Sequence, residues 1–499
     1  MPNSQNKIIL RDLFAGIDCQ FIGPGDITLD GLANDSRRVK PGDLFFAIPG
    51  FSSDGRKYVT EAISLGAIAI ASNGIIEGLE SVPQVICADV RRAMSKTSAR
   101  FFGIPSAKIP VVGVTGTNGK TTTTYMFAHI MKVQGQRWGR LGTVDYFTGG
   151  RVSTATNTTP DALQLQEMLA EIYNNGLHGC VMEVSSHGLD LGRCDDIQFS
   201  AAVFTNLSQD HLDYHKDMES YFLAKSILFE KLLRADGFVI LNARDPYSER
   251  LRKLSPGRVI TFGVVEDFSE NVVADLIIAD RDYADGQRSY KARFAGKTID
   301  GSIPHLGRFN LFNAAAAIGA AIGLGCSLED AVESLRTAPQ VPGRVQKIDC
   351  GQPFEVIIDY AHTPDAIKNL LEGIHSAGKV ILVFGCGGDR DTIKRPIMGG
   401  IACKLADRVV VTSDNPRTEK PAQIIADILK GMPAGDYLKV IENRDEAIGQ
   451  AIGMAKAGDL VIIAGKGHED YQIIGKTKLY FSDQDVARKY LKKLGYAAG

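Results

Sequence analysis

The sequence has no excess of charge of either sign, since 56 Lys and Arg residues against 58 Asp and Glu residues give a formal net charge of −2. This balance argues against a general electrostatic partner such as nucleic acid or an acidic membrane surface. No uncharged apolar run approaches the ~20 residues that a membrane-spanning helix requires. The longest candidates, residues 380–384 and 460–464, have the length of strands. We therefore predict no nucleic-acid partner and no membrane insertion, although a local basic pocket remains compatible with these numbers.

Cysteine patterns are also missing, because none of the eight cysteines belongs to a C-x-x-C pair. Their wide spacing disfavours a zinc site, and a chain of this size needs no disulfide framework. The first ten residues lack the basic-then-apolar order of a secretory signal. We predict reduced, buried thiols in a cytoplasmic protein, and no sequence feature demands more than a monomer.

The 499 residues suggest about three domains at roughly 150 residues each. Short apolar runs alternate with longer amphipathic segments, which is the rhythm of parallel α/β folds. Residues 103–110 contain two prolines and read as a linker. We predict three α/β domains at residues 1–108, 109–340 and 341–499.

Glycine or aspartate sits at or just past the carboxyl ends of several predicted strands in the third domain. Because sites in parallel sheets lie at those ends, this edge is the expected place for a functional site. The predicted strands are residues 109–114, 179–184, 201–205, 239–242, 354–359, 380–384, 408–412 and 460–464, and the predicted helices include residues 121–133 and 311–322.

A glycine-rich loop follows the first strand of the middle domain, where residues 113–122 read Gly-Val-Thr-Gly-Thr-Asn-Gly-Lys-Thr-Thr. Such glycines let backbone N–H groups face a phosphate, and the following helix N-terminus adds a partial positive charge. Lys120 would reach the β- and γ-phosphates, and the Thr121 hydroxyl would bind Mg²⁺. Val114 departs from the strict pattern, which has glycine there. The loop predicts a nucleoside triphosphate but no particular reaction, since motors, switch proteins and kinases also use one.

Further motifs follow in a specific order along the chain. They read Glu-Val-Ser-Ser-His at 183–187, Asn-Leu-Ser-Gln-Asp-His-Leu-Asp-Tyr-His at 206–215, Tyr-Phe-Leu-Ala-Lys at 221–225, Gly-Arg-Phe-Asn-Leu-Phe-Asn-Ala-Ala at 307–315, Pro-Gly-Arg at 342–344 and Asp-Tyr-Ala-His-Thr-Pro at 359–364. With the loop they resemble the Mur ligase family over almost the whole chain. The resemblance implies a central P-loop ATPase domain with a parallel sheet, flanked by an N-terminal UDP-binding α/β domain and a C-terminal Rossmann-like domain.

The resemblance also implies an ATP site. Asn313 would contact adenine, Asp359 the ribose, and Arg344 the phosphates as the C-terminal domain closes. An arginine at a domain junction could also form a plain interdomain salt bridge. The remaining implied ATP contacts are Gly116, Thr117, Asn118, Gly119, Lys120, Thr121 and Thr122.

Ligases of this family bring a carboxylate to the γ-phosphate of ATP, and Mg²⁺ must screen the two negative groups. Hard oxygen ligands suit Mg²⁺. The resemblance implies two Mg²⁺ ions held by Thr121, Glu183, His211 and a carbamylated Lys225. The CO₂-derived carbamate would turn the Lys225 cation into a carboxylate-like ligand. Without the resemblance, Glu183 would be read as a solvated or salt-bridged residue and Lys225 as a surface lysine. Lys120, Glu183, His211 and Lys225 are the implied catalytic residues.

The front segment resembles that of Mur ligases that add the third peptide residue or the dipeptide, with Asp-Ser-Arg at 35–37 and Gly-Asp-Leu-Phe-Phe-Ala at 42–47. Asn-Thr-Thr-Pro at 157–160 resembles the third-residue ligase's segment for UDP-MurNAc-dipeptide. Leu191 departs from the family's more usual glutamine, which puts one substrate contact in doubt. The implied contacts to UDP-MurNAc-dipeptide are Ser36, Asn157, Thr158, Thr159, Ser185 and Arg193.

Residues 414–417 read Asp-Asn-Pro-Arg, which resembles the motif of family members that add meso-diaminopimelate. Diaminopimelate is lysine with a second carboxylate, and a guanidinium can grip that carboxylate through two parallel hydrogen bonds. The same four residues also suit a β-turn after a strand, and the two interpretations are compatible. The implied contacts to diaminopimelate are Arg390, Asp414, Asn415, Pro416, Arg417, Gly465 and Glu469.

The reaction implied by the resemblance joins meso-diaminopimelate to UDP-MurNAc-L-Ala-D-Glu, with ATP as the third substrate, through an acyl phosphate in peptidoglycan precursor synthesis. His187 and His362 are candidate general bases, and each could instead be structural. Three alternatives stay open: the same ligase using L-lysine, a folate or other polyglutamyl ligase without the UDP domain, and a nucleotide-gated binding protein with no bond-forming activity.

Overall fold

The computed structural model describes residues 7–50, 54–79, 81–150, 152–284, 286–374 and 377–496. Three main sheets carry helices on their faces, which confirms the α/β class. No helix within these ranges is both long and apolar enough to cross a membrane.

The first sheet has five strands, of which one edge strand is antiparallel and the others are parallel. Leu44 and Phe46 pack on one face while Phe45 and Ala47 pack on the other, so the strand that contains them is buried on both sides. In spatial order the strands are Cys19–Ile22, Gln84–Cys87, Ala69–Ser72, Asp43–Ala47 and Gly31–Ala33. A two-stranded ladder of Ile8–Ile9 and Thr28–Leu29 lies beside it, and the helical segments are Leu10–Leu13, Ser36–Arg38, Gly55–Tyr58, Val59–Ser64 and Val90–Phe101.

The second sheet has eleven strands, and its seven middle strands are parallel. The two strands at each edge run antiparallel to their neighbours, a feature that the sequence analysis missed. In spatial order the strands are Val152–Thr154, Asp145–Phe147, Trp138–Leu141, Gly179–Glu183, Val111–Thr115, Phe199–Phe204, Leu233–Asn242, Arg258–Val265, Leu276–Ala284, Gln287–Phe294 and Lys297–Ile303.

The helices of this middle region cover both faces of the sheet. Lys120–Val133 and the alanine-rich Phe309–Gly323 share one core with Val112 and Val114, whereas Val111 faces a second core on the other side. The alternation within one strand explains why the strand reads as a continuous apolar run. The other helical segments are Pro105–Ala107, Ala162–Asn174, Ser186–Asp190, Leu212–His215, Met218–Ile227, Leu228–Leu232, Ser248–Leu254, Leu328–Ser334 and Leu335–Thr337.

The third sheet has six strands, all parallel except the first. In spatial order they are Gln346–Lys347, Glu355–Asp359, Leu460–Ala464, Val380–Phe384, Arg408–Val411 and Leu438–Val440. A hairpin of Tyr471–Ile474 and Thr477–Tyr480 follows, and the helices are Pro364–Gly373, Lys394–Leu405, Pro421–Leu429, Arg444–Met454 and Asp483–Lys493.

A fully buried ion pair ties this third sheet together near the carboxyl ends of its strands. Arg444 Nε and Nη2 each lie 2.8 Å from an oxygen of Asp483, and both side chains have no exposed surface. Arg444 also donates to the carbonyl of Ala464 at 2.9 Å. A carboxylate that pairs both arms of a buried guanidinium is costly to remove, because the guanidinium stays behind without a counter-charge.

We therefore expect Asp483→Ala to lower the free energy of unfolding of the C-terminal region by about 3–5 kcal/mol. Lys489→Met is the matched control, because it removes an ion pair of the same region that is partly exposed, Lys489 with Asp445; it should cost less than about 1 kcal/mol. Urea unfolding followed by tyrosine fluorescence measures both. Equal losses for the two variants would contradict the structural role given to the buried pair.

Candidate functional site

The glycine-rich loop joins the strand Val111–Thr115 to the helix Lys120–Val133. Gly116 and Gly119 have φ angles of 148° and 87°, which L-residues rarely adopt. A Cβ on Gly116 would overlap the Thr205 hydroxyl, and a Cβ on Gly119 would overlap Asn313 Oδ1. Backbone conformation and close packing both require glycine at these two positions.

The loop is held by residues 206–208 on the neighbouring strand end. Asn118 N–H donates to Asn206 Oδ1 at 3.0 Å, and Asn206 Nδ2 returns a bond to Asn118 O at 3.1 Å. Ser208 N–H donates to the Thr117 hydroxyl at 3.0 Å. Lys120 Nζ donates to the carbonyls of Gly116 and Thr117, each at 2.9 Å. The loop is thus fixed from both sides.

A cleft of about 520 Å³, here called the central cleft, lies over this loop. Arg344 enters it from the C-terminal region, where Nη2 donates to Thr121 Oγ1 at 3.2 Å and the guanidinium lies 4.5 Å from the Tyr360 ring centroid. Within the described ranges Arg344 forms no ion pair. The predicted ATP contacts that line the cleft are Thr117, Asn118, Gly119, Lys120, Thr121, Thr122, Asn313, Arg344 and Asp359.

Asp359 ends a strand of the third sheet and lies on the far wall of the central cleft. Its carboxylate accepts from the N–H of Val345 at 2.8 Å and the N–H of Ala361 at 2.7 Å. Burial raises the pKa of this carboxyl, which the nearby Arg344 opposes. Asp359 therefore fixes the backbone at Val345 and at Ala361. Each carboxylate oxygen keeps a lone pair that can accept another hydrogen bond.

Glu183 ends a strand of the second sheet and is almost completely buried at the central cleft. Thr143 holds it, donating from N–H to Oε1 at 2.8 Å and from Oγ1 to Oε2 at 3.0 Å. Thr143 was not among the residues predicted from the sequence. Its only local signal is the preceding Gly142, where a Cβ would overlap Glu183 Oε1.

His211 lies where the central cleft meets its neighbour, with a φ of 54°. Its Nε2 is 3.5 Å from Asp210 Oδ2. Burial lowers the pKa of the His211 imidazole to about 4, against the opposite influence of Asp210. The ring is thus neutral at pH 7 and offers a lone pair.

Lys225 is buried behind the phosphate loop and is not among the described residues that line the clefts. Its Nζ donates to Gly116 O at 3.0 Å and lies 4.5 Å from the Tyr221 ring centroid. Burial, with a smaller contribution from Lys120, holds the pKa of this amine well below its usual range. The lysine that the family motif indicated is therefore buried and lies beside the phosphate loop.

The donor set at the central cleft fits a hard cation in part. The Thr121 hydroxyl and the Glu183 carboxylate are oxygen ligands of the kind that Mg²⁺ prefers, and they line the same cleft. In the part of the chain that the structure describes, no three His, Cys, Asp or Glu side chains gather as a metal site. A cation here would therefore take its other ligands from a bound nucleotide, water or a modified side chain.

The segment predicted to bind the UDP-linked substrate folds against Glu183. Thr158 and Thr143 share a hydroxyl contact at 3.1 Å, and Thr159 Oγ1 donates to the Glu183 carbonyl at 3.0 Å. Arg193 donates to Thr159 O at 2.7 Å, and Ser185 Oγ lies 3.0 Å from Thr159 Oγ1. The structure thus brings these residues together.

The other two residues predicted for this substrate, Asn157 and Ser36, form no side-chain hydrogen bond with that group in the part of the chain that the structure describes. Asn157 is exposed, and its backbone bonds to the Tyr146 hydroxyl. Ser36 is in the first domain, where its hydroxyl donates to Glu61 at 2.6 Å, and it is not among the described residues lining the clefts. Leu191 is half-buried just after the helix Ser186–Asp190.

A second cleft of about 570 Å³, the C-terminal cleft, adjoins the first. Arg417 has a φ of 51°, and its Nη1 donates to Gly388 O at 2.7 Å. Pro416 is outside the lining, and its carbonyl accepts from the N–H of Glu419 at 3.1 Å, so a turn spans residues 416–419. The predicted turn at 414–417 is not closed by a hydrogen bond, because the N–H of Arg417 donates to Ile473 O at 3.0 Å instead. The predicted amino-acid contacts in the lining are Arg390, Asp414, Asn415, Arg417, Gly465 and Glu469.

The two clefts share one wall, made by Ser208, Asp210, His211, Tyr360, His362, Thr363 and Asp365. Asp365 Oδ2 accepts from Asn118 Nδ2 at 3.0 Å and from Ser208 Oγ at 2.9 Å, so it joins the C-terminal region to the phosphate loop. His362 Nδ1 donates to Tyr360 O at 2.8 Å, which leaves Nε2 as an acceptor. The candidate base His187 lines only the C-terminal cleft.

Two further residues of the site were not predicted from the sequence. Asp365 belongs to the shared wall, and Lys394 lines the C-terminal cleft. Asp365 comes directly after the motif at 359–364, so its position in the sequence could have indicated a role in the site. Lys394 donates to His362 O at 3.0 Å and lines the C-terminal cleft. It follows the Gly-Gly-Asp-Arg segment at 387–390 but carries no pattern of its own.

The fold and the site define a three-domain α/β enzyme whose phosphate loop meets a second cleft at a domain junction. Comparison with known proteins identifies its family. Residues 28–100 match "Mur ligase family, catalytic domain", residues 114–321 match "Mur ligase middle domain", and residues 343–467 match "Mur ligase, glutamate ligase domain". The chain belongs to the Mur ligase family, whose members are ATP-dependent ligases.

Two similar proteins and one solved structure carry the same name, UDP-N-acetylmuramoyl-L-alanyl-D-glutamate–2,6-diaminopimelate ligase. The protein of Caldanaerobacter subterraneus is 42% identical over 97% of this chain and 98% of its own length. The protein of Gloeobacter violaceus is 44% identical over 97% of this chain and 98% of its own length. The solved structure is 33% identical, covers 98% of this chain and 100% of its own, and has a TM-score of 0.67.

Gly119→Ala should weaken ADP binding about tenfold or more, because the added Cβ meets Asn313 Oδ1 and the φ of 87° strains any L-residue. Titration calorimetry with ADP measures the affinity. Gly135→Ala is the matched control, since Gly135 also has a positive φ, of 77°, just after the same helix, and has open space around its Cβ position. Equal affinities of the two variants would contradict the close packing that we describe for this loop.

Proposed function

We propose that this ligase forms an amide bond between UDP-MurNAc-L-Ala-D-Glu and meso-diaminopimelate, with ATP converted to ADP and phosphate. The observation that carries the proposal is the shared wall of the two clefts. A nucleotide on the phosphate loop would direct its terminal phosphate toward His211 and His362, and an amino acid in the C-terminal cleft would approach the same wall. The names and high coverage of the relatives support this assignment.

We also propose the ranges 1–108, 109–340 and 341–499 as three domains, because each main sheet takes all its strands from one of them. The first domain would bind the UDP moiety through a surface that includes Ser36. Thr158, Thr159, Ser185 and Arg193 would receive the dipeptide end, and their contacts around Glu183 support that role.

Amino-acid recognition would rest on charges of opposite sign in the C-terminal cleft. Arg390 and Arg417 bring two guanidinium groups, and Asp414 and Glu469 bring two carboxylates. Diaminopimelate carries a carboxylate and an ammonium at each end, so it matches both signs. L-Lysine lacks the second carboxylate and would leave Arg417 facing an ammonium, which is why we favour diaminopimelate.

The reaction would proceed in two steps. The D-glutamate carboxylate attacks the γ-phosphate of ATP, which forms an acyl phosphate and releases ADP. The free amine of diaminopimelate then attacks the acyl carbon, loses a proton, and expels phosphate from the tetrahedral intermediate. Lys120 and Arg344 would neutralise the phosphates, and the surrounding domains would orient the reactants and exclude water. Of the two candidate bases, His362 has the better position, because it lies on the shared wall with Nε2 as an acceptor.

Mg²⁺ would be held by Thr121, Glu183 and His211, and when bound it would screen the negative charges of carboxylate and phosphate. For the second ion we propose that Lys225 reacts with CO₂, so that its amine becomes a carbamate and releases a proton. The buried position of Lys225, against the phosphate loop and without an acidic partner among the described residues within ion-pair distance, supports this modification.

Phosphate release from ATP in the presence of UDP-MurNAc-L-Ala-D-Glu tests the function, with meso-diaminopimelate and L-lysine compared. We expect release with diaminopimelate and little with lysine. Arg417→Met should raise the KM for diaminopimelate about 100-fold, because one carboxylate loses its bidentate partner. Lys420→Met, at an exposed position on the same loop, is the control and should behave as the wild type.

Two results would overturn parts of this assignment. Equal or faster release with lysine would keep the ligase class but reject the role of Arg417. Release that ignores both amino acids would favour the nucleotide-gated binding protein, which hydrolyses ATP without forming a bond.

The carbamate is tested by ¹³C NMR of protein equilibrated with ¹³C-labelled bicarbonate. We expect a carbamate resonance that disappears in Lys225→Met and remains in Lys216→Met, an exposed lysine of the same region. Removal of CO₂ and bicarbonate should also slow phosphate release, and activity should return when bicarbonate is added. An unlabelled Lys225 in fully active enzyme would reject the modification.

A further inference from the structure

Lys466 lies beneath the C-terminal cleft, two residues past the strand Leu460–Ala464, and has no exposed surface. Its Nζ is 3.2 Å from Asn415 Oδ1 and 3.2 Å from Glu469 Oε2. The Tyr471 ring centroid is 5.4 Å away on another side. A fully buried ammonium is costly unless polar groups or counter-charges surround it, and Asn415 and Glu469 meet that requirement here.

The two partners of Lys466 also bind each other. Asn415 Nδ2 donates to Glu469 Oε2 at 2.9 Å, and Asn415 Oδ1 accepts from the N–H of Ile473 at 2.9 Å. One Glu469 oxygen therefore receives two donors, while Glu469 as a whole still lines the cleft. The orientation of the Glu469 carboxylate is therefore fixed by Asn415 and Lys466.

Lys466 interacts with two carboxylates of the C-terminal cleft. Asp414 and Glu469 are both carboxylates of the cleft wall, and Lys466 is the cation beneath them. Burial alone would raise the pKa of the Asp414 carboxyl, but Lys466 and Arg444 hold that pKa below its usual range. Arg444 is already paired with Asp483, whereas Lys466 is the buried cation within ion-pair distance of the cleft carboxylate Glu469.

We propose that Lys466 is a positioning residue for amino-acid recognition: it fixes Glu469 and Asn415, so that the Glu469 carboxylate faces the cleft ready to accept the ammonium group of the incoming amino acid. Lys466 does not touch the substrate, because it is buried and outside the cleft lining. The proposal rests on the proposed function, since it assumes that the cleft takes an amino acid with a distal ammonium.

The test is Lys466→Met, which keeps most of the side-chain length and removes the charge. The KM for diaminopimelate should rise about 10- to 100-fold, because a charged hydrogen bond is lost on two acceptors. The KM values for ATP and for UDP-MurNAc-L-Ala-D-Glu should stay within about twofold of the wild type. A general structural defect would instead change all three KM values or kcat alone.

A double-mutant cycle shows whether Lys466 acts through Glu469. Glu469→Gln should itself raise the KM for diaminopimelate, and Lys466→Met should then add little. Lys489→Met, which removes an ion-paired lysine of the same domain outside the cleft lining, is the matched control and should leave every KM unchanged.

Each outcome decides a separate point. Unchanged KM for diaminopimelate in folded Lys466→Met, or full additivity with Glu469→Gln, would overturn the positioning role. If Lys466→Met does not fold, Lys466→Gln, which removes the charge but keeps a donor, repeats the cycle, and full additivity with Glu469→Gln would overturn the positioning role equally. A wild-type enzyme that ignores diaminopimelate would instead reject the proposed function, independently of Lys466.

Discussion

The carboxylate of Asp365 joins two parts of the chain that must meet for any chemistry between the clefts. It accepts from Asn118 on the phosphate loop and from Ser208 on the adjoining loop, whereas its own helix belongs to the third sheet. Through this contact the carboxyl edges of two parallel sheets face each other. Arg344 reaches Thr121 across the same junction. The shared wall of the clefts, and hence the proposed transfer of an acyl group, depends on this docking.

Charge is divided between the clefts in a way that suits a reaction of negative partners. Cations and backbone N–H groups gather at the phosphate loop, where Lys120 and Arg344 lie, while the C-terminal cleft holds guanidinium groups and carboxylates side by side. Two carboxylates that line the clefts each have a hydrogen-bonding partner, Thr143 for Glu183 and Lys466 for Glu469. Such supports keep donors and acceptors in place before a ligand arrives, which reduces the reorganisation that binding requires.

Much of the fold could be predicted because its signals are local. Residues 380–384 and 460–464 were identified as strands from their apolar runs alone, and their bounds agree with the structure. The antiparallel edge strands, such as Gln287–Phe294 and Lys297–Ile303, were missed because their alternating polar residues mark an exposed edge but not its pairing partner. Gly119 was found from its motif, whereas Thr143 was missed because a single threonine after a strand leaves no pattern.

The sequence by itself determined the phosphate loop and the family motifs, because the conformation of a glycine-rich turn between a strand and a helix is set by neighbouring residues. Only the tertiary structure decided which of these segments meet. Asn118 and Asp365 are 247 positions apart, and Asn415 and Glu469 are 54 apart. Hydrogen bonds between such distant side chains follow from how domains and strand ends pack, and packing depends on the whole chain. Lys466 is the clearest case, since no role was predicted for it from the sequence and its folded surroundings make it a buried counter-charge.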